Sequence, residues 1–293
     1  NMFTRSIEDI RKIIKICKDI NVVPTGSYFQ QTASGLSKIL NICKEENISF
    51  SKTMLFRKPY ELYEIFDVCS KLNIRVYDRM YKRKPNEVLE ISNYCIENNI
   101  TLGDSTYRNS CEVTKEIIRT WYELGIEPTG NVFKRLPNEI REIVEIYDRL
   151  LGEKPTGNVY SQKPEEVSNI LNFALENNIK ITGTLFSKKF ENIKDTYNFI
   201  VDNYGRDYVS PQILIKNQQH VKDVFEYLEE NEILDTIKSS FGIINLTIDE
   251  IRERADFIRK SGQELVVGDV YNSIFGWSRK IYNEKKTKMN KAK

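Results

Sequence analysis

Apolar residues recur along the chain in spaced sets: Leu36, Ile39 and Cys43; Leu62, Ile65 and Cys69; Val88, Ile91 and Cys95; Val167, Ile170 and Ala174. The spacing i, i+3, i+7 places each set on one stripe of a helix of about thirteen residues. Pro59, Pro85, Pro137 and Pro164 open these helices at the first position, where a missing N–H costs nothing, and Glu61, Glu87, Glu139 and Glu166 follow in the same turn. Asn21, Asn47, Asn73, Asn99, Gly125 and Asn178 close them, being residue types that accept the left-handed conformation. Val22, Ile48, Ile74, Ile100, Ile126 and Ile179 follow as the apolar partner of a Schellman-type cap. Thr25, Ser51, Thr129, Thr156, Thr182 and Ser210 then read as N-caps of a second helix of two turns, with Pro211 at its first position. Its apolar pairs, such as Tyr28-Phe29, Met80-Tyr81, Val132-Phe133, Val159-Tyr160 and Leu185-Phe186, read as core rather than as a column for stacking bases.

The whole pattern repeats. Cys17, Cys43, Cys69 and Cys95 lie 26 residues apart, and Trp121 takes the next place. A short fixed period means that each repeat buries its apolar face on its neighbours. The predicted fold is therefore an all-α superhelix (solenoid) of about ten two-helix repeats of 26–30 residues. Residues 1–183 hold regular repeats and residues 184–268 hold longer, divergent ones, with insertions at Leu151-Gly152 and Gly205-Arg206 falling in loops. Residues 269–293 are expected to give a capping element, around Val270 to Ile281, and a disordered lysine-rich tail. Val221, Val224 and Leu228 repeat the stripe in the divergent part, and Thr247 with Glu250 forms a capping box.

With 40% apolar residues and a mean hydropathy of −0.48, the 293-residue chain has enough apolar side chain for a core. The absence of a long apolar run or a signal-like N-terminus predicts a cytosolic protein with no membrane partner. The cysteine column accepts Trp121, Tyr147, Ala174 and Ile200 in later repeats, so it reads as packing and not as thiol chemistry. Cys111 sits apart, at a helix start. His220 is the single histidine and occupies a column that elsewhere holds glutamate, which predicts an exposed helix position. No closely spaced metal-ligand cluster or phosphate-cradling loop is present in the sequence, and the expectation is a protein without metal, cofactor or catalytic residue.

The net charge of +2 points to no class of partner, but the placement of charge does. The three positions before each long helix include Arg57, Lys58, Lys82, Arg83, Lys84, Arg108, Lys134, Arg135, Lys163, Lys188 and Lys189. Over seven repeats, eleven of these twenty-one positions are basic, where 44 basic residues in 293 would place about three by chance. Asp19, Glu45, Glu97, Glu123, Glu176, Asp202 and Glu230 form an acidic column near the helix C-termini. Helix dipoles favour the reverse arrangement by about 0.3–1 kcal/mol per charge, so helix stability does not explain it. A basic edge built on helix N-termini suits phosphate. The competing reading is that the cations solubilise an edge and pair with glutamates such as Glu61 and Glu87.

At Pro85-Asn86-Glu87-Val88 with Ile91, the repeat resembles the helix opening of TAL-effector repeats. Phe133 and Pro137, with Leu151-Gly152, resemble mitochondrial transcription terminator (mTERF) repeats. Both families track nucleic acid, which is what the resemblance implies here. The Gly-containing base-reading loop of the former and the leucine spacing of the latter are missing, so no base-reading residue carries over. The leading expectation is a non-enzymatic protein that holds a DNA or RNA backbone along the basic edge; the alternative is a protein-interaction scaffold that uses the concave surface of the solenoid.

Overall fold

The structure is a computed structural model that describes residues 5–127, 129–239, 241–260, 275 and 278–291. It is all-helical, with no strand among the described residues, and is an α-helical repeat array. The chain forms two compact units, Asn1–Val144 and Glu145–Lys293.

In the N-terminal unit, α1 (Ile7–Asp19), α2 (Ala33–Glu45), α3 (Pro59–Lys71), α4 (Pro85–Glu97) and α5 (Cys111–Leu124) pack in sequence, each on the next. Between them lie 3-10 helices at Tyr28–Gln30, Lys52–Phe56, Asp78–Lys82, Asp104–Arg108 and Val132–Lys134, which stack on one another as a second layer. Helix α6 (Pro137–Leu151) contains the division between the units. In the C-terminal unit, α7 (Pro164–Glu176), α8 (Phe190–Asn203), α10 (Gln218–Glu230) and α12 (Ile248–Lys260) form the long-helix layer. The 3-10 helices Gly157–Ser161 and Leu185–Ser187, the short α9 (Pro211–Leu214) and the 3-10 helix Phe241–Asn245 form the other layer. A short α11 (Thr236–Ser239) precedes the last of these, and α13 (Arg279–Lys291) ends the described chain.

The cysteine column lies at the end of each long helix, where a Schellman motif closes it. Asn21, Asn47, Asn73, Asn99, Asn178 and Gly125 have φ between 51° and 58°. The next N–H then reaches back five residues: Val22 to the Cys17 carbonyl, Ile48 to Cys43, Ile74 to Cys69, Ile100 to Cys95, Ile126 to Trp121 and Ile179 to Ala174, at 2.8–3.2 Å. Each motif therefore anchors on a residue of that column, whose side chain is buried in the core. Burial alone pushes the Cys69 thiol up to about 11 and, with a small contribution from Cys111, the Cys95 thiol up to about 12.

Two expectations need correction. The short element is a 3-10 helix of three to five residues in most repeats, not two turns of α-helix. It is opened by a main-chain carbonyl, as in Tyr28 N–H to Thr25, Met80 to Tyr77, Val132 to Thr129 and Leu185 to Thr182, all at 3.0–3.1 Å. Only Ser51 and Ser210 of the column cap through their side chains. The apolar pairs that it carries are buried as expected. The lysine-rich segment is helical over Arg279–Lys291: Tyr282 is buried against Phe257 and under the Arg254 guanidinium, and Lys286 pairs with Glu253. Most of the capping element expected around Val270 to Ile281 lies outside the described residues.

Candidate nucleic-acid interface

The residue two places before α1 to α5 and α7 holds one repeat to the next. Arg57 donates from Nε to the Tyr81 carbonyl at 2.9 Å and from Nη2 to the Lys82 carbonyl at 3.3 Å, and its Nη1 lies 3.3 Å from Glu61. Arg83 repeats this geometry on the carbonyls of Tyr107 (3.2 Å) and Arg108 (2.6 Å), and Arg5 does so on Phe29 (2.8 Å) and Gln30 (2.9 Å). Other side chains do the same work in the same column. Gln31 donates to Leu55, Asn109 to Phe133 and Gln162 to Phe186, each at 2.8 Å. All of these carbonyls belong to the second residue of the buried pair, or its successor, in the following repeat.

Arg57, Arg83 and Arg135 of the basic column are thus half-buried parts of the fold. The glutamates that neutralise them also serve the helix start: Glu61 accepts the Lys58 N–H at 2.8 Å, Glu87 that of Lys84 at 3.2 Å, and Glu139 that of Leu136 at 2.9 Å. Arg135 lies 3.5 Å from Glu139 in the same arrangement. The helix N-termini are therefore partly occupied by carboxylates and offer an anion fewer free N–H groups than the sequence suggests.

The lysines behave differently. Lys58, Lys84, Lys163 and Lys189 occupy N-cap positions and are exposed. Lys82 and Arg108 end their 3-10 helices, exposed, with Lys134 half-exposed at the next. Among the described residues, none of Lys58, Lys82, Lys84, Arg108 and Lys134 has a carboxylate within 4.0 Å. Lys82, Arg108 and Lys134 end successive 3-10 helices of the stack in the N-terminal unit, and Lys58 and Lys84 cap long helices of the same unit. Lys163, Lys188 and Lys189 hold the same positions in the C-terminal unit. The acidic column is exposed at the opposite helix ends.

Sequence reasoning missed two residues of this edge. Phe56 and Tyr60, 50% and 56% exposed, flank Lys58, whose ammonium stands 5.8 Å from the Tyr60 ring centre. The signal was Phe56 inside the triplet Phe56-Arg57-Lys58, overshadowed by the buried aromatic pairs. His220 is a further correction. It is half-buried, with Nε2 3.0 Å from the Ile244 carbonyl, so it takes up the holding role in its own repeat.

Glu90, Cys111 and Glu112 bring three potential metal-ligand atoms within 4.8 Å of one another. Lys115 is hydrogen-bonded to Glu90, and burial with the Glu90 hydrogen bond pushes the Cys111 thiol up to about 11, so the group reads as a hydrogen-bonded cluster with its cation already in place. No protein-family profile matches the chain, and no curated protein matches its sequence. No helix among the described residues is long and apolar enough to cross a membrane.

Proposed function

We propose that the chain is a non-enzymatic, cytoplasmic nucleic-acid-binding protein that holds a phosphate backbone with Lys58, Lys82, Lys84, Arg108 and Lys134. The observation that carries this reading is the contrast within one basic column. Arg57, Arg83 and Arg135 are taken up by carbonyls or glutamates, whereas these five cations have no acidic partner among the described residues. Lys58 and Lys84, at helix N-caps, oppose the dipole, and a bound anion relieves that cost. The exposed Phe56 and Tyr60 rings add a surface on which unpaired bases stack, which favours single strands over duplexes. Lys163, Lys188 and Lys189 extend the same chemistry to the C-terminal unit.

The test is binding of the full chain to single- and double-stranded DNA and RNA across a salt series. Affinity that falls steeply with salt, with a shallower fall in K58Q/K84Q, supports phosphate tracking. No binding at about 50 mM salt overturns it. A protein-scaffold role is the second reading, favoured by the exposed Leu89, Ile96 and Tyr122 on α4 and α5.

A further inference from the structure

The holding column changes character in the C-terminal unit. Where other repeats place Arg, Gln or Asn, this unit has Lys188 and then Lys216, and among the described residues neither ammonium has a hydrogen-bond or ion-pair partner. A point charge on a flexible stem lacks the fork that spans two carbonyls. Lined by these two lysines, along α8 and at the N-terminal end of α10, lies a polar cavity of about 550 Å³.

Three further features of its wall point to an anion. Lys222 lines it, held only at 3.7 Å by Glu226, so three lysines face one lining carboxylate, Asp195. Helix α10 has no acid in its first turn, unlike α3, α4 and α6, so its positive end is uncompensated. Asn217 caps the N–H groups of Gln219 (2.9 Å) and His220 (3.4 Å), leaving that of Gln218 at the tip. Thr196, fully buried in α8, lines the cavity with its Oγ1 unpartnered, and a buried hydroxyl without a partner costs about 1–3 kcal/mol.

We infer that this cavity is a binding site for a phosphate ester of mononucleotide size, its phosphate held by Lys188, Lys216 and the first turn of α10. The volume falls in the range of small-molecule sites, and the polar, cationic wall selects a charged ligand over an apolar one. The site shares Lys188 with the C-terminal extension of the proposed backbone contacts but none of the five cations of the N-terminal unit.

The experiment is calorimetric titration of the full chain, at fixed ionic strength, with pyrophosphate, adenosine 5′-monophosphate and adenosine. Saturable binding of the two phosphorylated probes and none of adenosine is expected, weakened at least tenfold in K188Q/K216Q and unchanged in K58Q/K84Q. The single K216Q variant is read in the same way if the double variant fails to fold. A short oligonucleotide with and without a 5′-phosphate separates a nucleic-acid end from a free ligand. Absence of saturable binding by every phosphorylated probe, or equal weakening by both lysine pairs, overturns the inference.

Discussion

Arg57 shows how one residue joins two repeats. Its guanidinium donates to the part-buried Tyr81 carbonyl and, at the surface, to that of Lys82. Truncation to alanine strips those acceptors, and a loss of about 1–3 kcal/mol is expected in urea unfolding. Glutamine already does this work at Gln31 and Gln162, so Arg57→Gln is expected to retain most of the stability while removing the charge. Equal losses in the two variants would mean that the Glu61 pair, and not the carbonyls, matters. The left-handed asparagines give a second residue-scale prediction. Asn73 has φ 51°, so Asn73→Ala is expected to cost about 1 kcal/mol and Asn73→Gly to be neutral or stabilising, measured in the same way.

At the scale of the element, the long helix and its Schellman cap form one device centred on the cysteine column. The four thiols of the column and Cys111 are buried and un-ionised, so none of the five is expected to react with a thiol reagent at pH 8 until the protein unfolds. The same burial sets an alkaline limit. Thiols whose folded pKa is raised from 9.0 to about 11 (Cys69) or about 12 (Cys95) contribute stability that is complete below pH 9 and lost as pH rises through the raised values. The melting temperature is therefore expected to fall between pH 9 and 12, with a shallower fall in Cys95→Ala. A flat profile in the wild type would place the thiols in contact with water.

For the molecule as a whole, the proposed function turns on which charges remain after the fold has used the others. The five cations of the N-terminal unit are expected to contribute, for single strands, about −3.5 to the slope of log affinity against log salt, falling in magnitude by about 1.4 in K58Q/K84Q. Removing Arg83 instead is expected to lower stability without changing that slope, because its charge is already matched by Glu87 and two carbonyls. A slope near zero with intact binding would point to a protein partner.

The repeat, the long helices and their ends were legible in the chain alone. A 26-residue period, proline at the first turn and asparagine at the last act through local backbone preference and a single apolar stripe, which need no knowledge of the neighbour. The short element was misread because a 3-10 turn and an α-turn share the same apolar pair, and the difference lies in one carbonyl. What only the tertiary structure decided was the division of the basic column. Arg57 and Lys58 are adjacent cations in the sequence, yet one turns inward to the next repeat's main chain while the other stands at the helix tip in water. That choice is made by carbonyls 24 residues away, which the local sequence does not display.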